Sequence, residues 1–468
     1  MIGMNSRSGT ALAATALLLL AGCGPKQPEL TADEVTAIAT DAYVYGYPLV
    51  TMDMTRRVMT NVTQAEGTRA PMGQFVNMRT YPDASFRDVT APNANTLYSS
   101  AWVDVSAEPV VFSLPEMGDR YYLMPMLDGW TTVFQVPGSR TTGGGAQKYL
   151  ITGPGWTGTV PEGMTEYKSP TGMVWILGRT FAQTTPADLA AVHALQDQYS
   201  LVPLSSYGKP YTPPPGEVDP SVDMKTPVRD QVNGLSATEY FSRMAALMTQ
   251  NPPTTADSAM VSRMARIGLV AGQPFDPSKF DTAAAAALAA VPKAAVGKIM
   301  ALSAEIPKVN GWSYSTQTGV YGTDYLVRAL VTAIGLGANR PQDAIYPYTE
   351  TDGAGAPLDG GKNYVLHFAK GEVPPVQGFW SLTMYDANYF FVANPINRYQ
   401  VSPKQSPVQF NADGSLDIYI QNAPPSKGRM ENWLPAPTGR FILMLRFYWP
   451  GDAIIDGSWK PPAVTVAE

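Results

Sequence analysis

The tightest constraint on this chain is its single cysteine, Cys23, placed where it leaves the mature protein without a thiol. Met1 to Ser8 are polar and carry one charge, Arg7; Thr10 to Leu20 are small and apolar, ending Leu17-Leu18-Leu19-Leu20. A basic start followed by an apolar run too short to span a bilayer reads as a signal peptide. Small residues then lead into Leu20-Ala21-Gly22-Cys23, the pattern that a lipoprotein signal peptidase cuts just before the cysteine, so a lipidated Cys23 is the expected mature N-terminus. With that cysteine spent, the mature chain has no disulfide, no cysteine nucleophile and no cysteine-ligated metal site. Its stability must come from a large core, and at roughly 100–200 residues per domain the length allows two or three domains.

The same N-terminus sets the expected location and partner. Gly24 follows Cys23 instead of Asp, which by similarity to the sorting rule of enteric bacteria points to the outer membrane of the cell envelope. One lipid chain anchors only marginally, but the several chains of a bacterial lipoprotein suffice, so the bilayer is the expected partner. No later segment reads as long and apolar enough to cross a membrane. The net charge is −6 and the pI about 5.2, with no basic stripe, which speaks against nucleic acid. His193 and His367 are the only histidines, so HExxH and His-rich sites are impossible. No cofactor or transition metal is expected; calcium held by Asp, Asn and main-chain carbonyls stays open.

After a polar tether at 24–34, Thr31-Ala32-Asp33-Glu34 is a capping box that starts a helix running through Ala42 and Tyr43 towards Tyr47-Pro48. From Pro109 to Arg179 the chain reads as β, in the short runs Val110–Leu114, Tyr121–Leu127, Thr131–Val136, Tyr149–Thr152 and Met173–Arg179. Asp128-Gly129 reads as a two-residue hairpin turn. From Thr185 the period becomes helical: Thr185-Pro186 is a start, Ser236 to Glu239 a second capping box, Asp281 to Ala290 an alanine-rich helix, and Thr323 to Gly337 another. Val202 to Pro220, rich in proline and glycine, reads as a loop draped over a neighbour. The last part returns to β at Tyr364–Phe368, Trp380–Tyr385, Tyr389–Val392, Leu416–Gln421 and Phe441–Trp449, with a turn at Asp413-Gly414. The fold class is therefore α+β and β-rich: β domains at 35–184 and 345–468 joined by a mostly helical 185–344.

Several phrases occur together: Ala42-Tyr43-Val44-Tyr45-Gly46-Tyr47-Pro48, Pro92-Asn93-Ala94-Asn95-Thr96-Leu97-Tyr98, Tyr122 to Trp130, Gly378-Phe379-Trp380-Ser381-Leu382-Thr383-Met384-Tyr385-Asp386, and Asn394-Pro395-Ile396-Asn397-Arg398-Tyr399. On these the chain resembles bacterial proteins that pair domain-of-unknown-function families 1254, over about 35–180, and 1214, over about 345–455. The resemblance implies two jelly-roll-like β-sandwich domains. It also shows a departure: many relatives carry Asp at the position of Asn95, and an acid or base there is absent from this chain.

The polar residues of these phrases are the site candidates. Asn93, Asn95 and Tyr98 follow a proline, so they either organise a turn or bind a ligand. Asp128 is explained by its hairpin, while Trp130 either packs or lines a pocket. Asn394, Asn397, Arg398 and Tyr399 form the densest polar–aromatic cluster; the guanidinium can fork onto an anion or close a corner of its own domain, with Asp386 as partner. Familiar catalytic arrangements are missing: Gly143-Gly144-Gly145 has no GK[ST] after it, no GxSxG elbow occurs, and a serine triad would need His193 or His367. Three readings stay open: a hydrolase of a carbohydrate, ester or small anionic substrate; a non-catalytic binder of a ligand or envelope polymer; and a structural or assembly module. An acid-lined cleft favours the first and an aromatic cleft without acids the second. The two β domains are expected to share one site, Asn95 and Tyr98 on one side and Asn397 and Arg398 on the other, with the helical middle as a wall.

Overall fold

The computed structural model describes residues 30–87 and 89–467; Cys23 and the signal segment lie outside the described residues. Its architecture follows from side chains that alternate across strands. All nine residues of Met173–Phe181 are buried. Val174 and Ile176 face a core containing Phe112, Tyr149 and Ile151, whereas Trp175, Leu177 and Phe181 face a second core built with helix residues such as Tyr43, Tyr240 and Val291. A strand covered on both faces needs apolar residues at nearly every position, which is how this stretch reads.

That strand is the centre of an antiparallel sheet in the order Val76–Asn77, Thr96–Asp104, Met173–Phe181, Met126–Asp128, Val133–Gln135, with Tyr122–Leu123 also pairing onto it. The second sheet of the first sandwich runs Ser200–Pro203, Val110–Leu114, Gln147–Thr152, Thr165–Lys168, the last pair parallel. The C-terminal sandwich repeats the plan. Its larger sheet centres on Phe441–Pro450 paired with Val376–Asp386, and its smaller one on Leu416–Gln421 and Tyr364–Phe368. Leu443, Leu445 and Phe447 fill the space between these sheets together with Trp380, Leu382 and Met384. The architecture is thus α+β and β-rich, with two two-sheet domains and a helical layer.

The helical layer wraps the outer face of the first large sheet. Its central helix, Ala32–Met59, opens with the Thr31/Glu34 capping box. It does not stop at Pro48, as the proline suggests. A mid-helix proline costs about 3 kcal/mol, and here every residue from Ala42 to Thr55 is buried, so packing on all sides offsets that cost. Thr282–Ala301 packs on it through Leu288, Val291, Ala295 and Ile299. Contrary to the sequence expectation, the stretch Thr282–Glu305 is long and apolar enough to cross a membrane; its alanine content raises the mean hydropathy, and one side of it belongs to the core.

Other expectations change locally. Ser200–Pro203 is an edge strand, so the first sandwich recruits chain from beyond 184, and only the rest of Val202–Pro220 is a loop. The loop does drape: Gly216 N–H donates to the Thr63 carbonyl and Gln74 Nε2 to the Pro214 carbonyl. Asp128-Gly129 is not a two-residue turn. Residues 129–132 join the strands, and Thr131 takes the left-handed conformation at φ 66°. Tyr389–Val392 is not a strand, because Asp386 Oδ1 accepts from the N–H groups of Asn388 and Phe390 and folds the chain back, with Tyr389 at φ 62°.

Candidate functional site at the domain junction

The outward-facing positions of the two large sheets meet. On Thr96–Asp104 and Met173–Phe181, Tyr98 and Arg179 are register partners on the face opposite the sandwich interior. On Val376–Asp386 and Phe441–Pro450, alternation turns Ser381, Tyr385, Arg446 and Tyr448 away from the core that holds Trp380, Leu382, Leu445 and Phe447. The loop before Tyr98 joins the faces. Asn93 Nδ2 donates to Tyr448 Oη at 2.7 Å, while its Oδ1 accepts from the N–H of Asn95 at 2.7 Å. Fully buried Asn95 donates to Gln405 Oε1 at 2.8 Å and accepts from Ser381 Oγ at 2.7 Å.

At the centre are two arginines, Arg179 at 5% and Arg446 at 4% exposure. Arg179 Nε donates to Tyr98 Oη at 3.2 Å, and its other nitrogens reach the Leu177 and Gly337 carbonyls and Asn339 Oδ1. Its guanidinium lies 4.8 Å from the centre of the Tyr98 ring. Arg446 Nη2 donates to the Ala91 carbonyl and to Tyr385 Oη, and the guanidinium lies 5.1 Å from the Tyr346 ring centre. Its Nε has no partner among the described residues. No hydrogen bond of either arginine goes to a carboxylate among the described residues. That is unusual, because a buried charge ordinarily needs an opposite one.

The phenols respond to these cations. Burial pushes the Tyr98 phenol up, but Arg179 and Arg446, with the hydrogen bonds from Asn93 and Arg179, outweigh it and hold Tyr98 below the usual phenol range. Burial keeps Tyr346 well above that range, and Asn339 Nδ2 donates to its hydroxyl at 2.9 Å. Tyr98 and Tyr346 retain some exposed surface, while Arg179, Tyr385, Arg446 and Tyr448 are buried, so the solvent-accessible part of the junction is at those two rings.

The candidates read from the sequence divide into three places. Asn93, Asn95 and Tyr98 lie at the junction. Asn397 and Arg398 sit at a corner of the C-terminal domain: Arg398 Nη1 donates to the main-chain carbonyls of Met430, Glu431 and Trp433, and exposed Asn397 turns the chain at φ 48°. Asp386 caps its own turn and makes no ion pair with Arg398. The C-terminal side of the junction is supplied by Tyr385, Arg446 and Tyr448. Sequence reasoning missed both arginines, although each stands alone in an otherwise buried run, Met173–Phe181 and Phe441–Pro450. A charge at a core-strand position was the available signal. His193 Nε2 is spent on the Arg79 carbonyl, and exposed His367 pairs with Asp417 on the outer face of its strand.

Asp128 and Trp130 pack against the helical layer. Trp130 meets Tyr45 at 4.7 Å between ring centres, and buried Arg328 lies among Tyr45, Trp130 and Tyr325. Asp128 Oδ1 accepts from the N–H groups of Trp130 and Thr132. Burial dominates and pushes the Asp128 carboxyl up to about 6, despite those two bonds and Arg328. A carboxyl raised in the folded state stabilises fully below its unfolded value near 4, and that contribution is lost as pH rises through 6. Asp128→Asn keeps both accepted bonds without the charge. It is therefore expected to exceed the wild type in stability by roughly 1–3 kcal/mol above pH 6, with the gap closing below pH 4. Urea midpoints at pH 4 and pH 8 measure this, and an advantage independent of pH contradicts it.

Fold and junction define a class: a protein of two β-sandwiches and a helical layer whose sandwiches meet over paired arginines and tyrosines. Residues 72–203 match the family described as protein of unknown function DUF1254, and residues 343–452 the one described as DUF1214. The chain carries a DUF1254 domain followed by a DUF1214 domain. A crystal structure of a Vibrio parahaemolyticus protein is similar at 24% identity and TM-score 0.71, over 93% of this chain and all of that one, which supports the fold. A Burkholderia cenocepacia protein of uncharacterised function aligns at 13% identity and TM-score 0.44 over 93% of each chain. No curated protein matches the chain.

Proposed function

We propose that this is a lipid-anchored protein of the cell envelope that captures a small anion, a carboxylate first of all, between its two β domains. The observation that carries this reading is the pair Arg179 and Arg446, buried without a carboxylate partner among the described residues. A guanidinium fork matches a carboxylate in shape and charge. The surrounding phenol and amide groups suit an organic anion with a polar end and a flat or apolar body. Among the described residues the acid within electrostatic range of Arg179 is Asp343, which is paired with Arg140, and a junction of arginines, amides and phenols with no pair of free carboxyls favours binding over carboxylate-based hydrolysis.

Thermal unfolding of the mature chain against acetate, benzoate, pyruvate, glucuronate and inorganic phosphate tests the reading. A ligand at 100 times its Kd adds about 2.7 kcal/mol of stability, a rise of several degrees in Tm for domains of this size. At least one carboxylate should give that rise. Arg179→Met and Arg446→Met should abolish it, and Arg446→Lys, which keeps the charge but not the fork, should restore part of it. A rise that survives both Met substitutions places the anion elsewhere and contradicts the proposal.

A further inference from the structure

We propose that Tyr98 is a base at this junction, taking a proton from the carbon next to the carbonyl of a bound 2-oxo acid. The inference rests on the anion-binding reading and gives it a substrate class. Its first ground is geometric. Tyr98 Oη accepts from Arg179 Nε at 3.2 Å and from Asn93 Nδ2 at 3.5 Å, and among the described residues it donates to none. The oxygen is held as an acceptor beside a cation, which favours the phenolate. Its second ground is position: Tyr98 keeps accessible surface and hydrogen-bonds Arg179, while Arg179 and Arg446 are buried in the same junction. Its third is charge. The two guanidiniums that hold the carboxylate also put positive charge beside the carbonyl, where negative charge develops during reaction.

The step balances without a further reactant. The C3–H bond of the 2-oxo acid breaks, and its proton goes to the Tyr98 phenolate. The electron pair forms a C2–C3 double bond as the carbonyl pair moves onto oxygen, and the enolate oxygen rests beside the two guanidiniums. Reversal returns a proton to C3, so in heavy water the net change is exchange of hydrogen for deuterium. The charged or titratable groups facing Tyr98 are Arg179 on its partner strand, Arg446 from the C-terminal sandwich, and Tyr346, Tyr385 and Tyr448. The cations favour the phenolate, so exchange should rise with pH and level off below the usual phenol value near about 10.

The test is proton NMR of pyruvate and 2-oxobutyrate in heavy water with the mature wild-type chain, read as loss of the C3–H signal over the buffer rate. Tyr98→Phe should lower the protein-dependent rate by roughly 100-fold or more, as removal of a general base does, while keeping the pyruvate-induced rise in Tm. Arg446→Met should lose both. Exchange at the buffer rate in a wild-type chain that pyruvate stabilises overturns the role of Tyr98 and leaves anion binding standing. Wild-type exchange by Tyr98→Phe overturns it as well. If no 2-oxo acid stabilises the chain, this inference falls, and if no anion does, the binding proposal falls with it.

Discussion

Replacing Cys23 by Ser should abolish lipid labelling and leave the precursor unprocessed. This all-or-none result is expected because Leu20-Ala21-Gly22-Cys23 combines an apolar run with small residues before the only thiol in the chain, and the acyl chains have no other cysteine to occupy. Metabolic labelling with a radioactive fatty acid, with the protein's size read on the same gel, measures both effects. Cleavage to the same size in the Ser variant, with no label in the wild type, shows an ordinary secretory signal and removes the anchor.

The second large effect is on stability. Asn93→Ala should destabilise the mature chain by about 3–5 kcal/mol, because each buried group left unsatisfied costs about 1–3 kcal/mol. Asn93 is 4% exposed and serves five groups: its Oδ1 accepts from the N–H groups of Asn95 and Thr96, and its Nδ2 donates to Thr96 Oγ1, Tyr448 Oη and Tyr98 Oη. A loss of that size is a large fraction of a typical folding free energy of about 5–15 kcal/mol. Asn93→Asp keeps the Oδ1 acceptor, and the Tyr448 hydroxyl can turn to donate, so it should cost less. Urea midpoints of the two variants decide the matter; equal small losses would mean that the loop finds other partners.

Much of the fold was legible because its signals are local. The capping boxes at Thr31 and Ser236, the proline start after Thr185 and the strands Val110–Leu114, Tyr364–Phe368 and Leu416–Gln421 each depend on neighbours a few residues away. The failures are places where distant packing overrides a local rule, as at Pro48, or where one side chain redirects the backbone, as Asp386 does before Tyr389.

The site was half legible for the same reason. Asn93, Asn95 and Tyr98 drew attention as polar residues after a proline, and they do sit at the junction. Their C-terminal partners could not be assigned, since Asn93–Tyr448 and Asn95–Ser381 join positions 355 and 286 residues apart. Arg398 attracted attention as a cation among polar and aromatic residues, yet it holds main-chain carbonyls of its own domain. Arg446 was hidden in an apolar run, where alternation alone decides that it faces the other sandwich.

The central claim is that Arg179 and Arg446 together hold an anion. Calorimetric titration of the mature chain with pyruvate and benzoate, in a buffer low in competing anions, tests it most directly against Arg179→Met, Arg446→Met and the double variant. The account predicts saturable one-to-one binding by the wild type, loss in each single variant, and no further loss in the double variant, because the two cations serve one ligand. Binding that is unchanged in the double variant, or no saturable binding of either anion by the wild type, would contradict it.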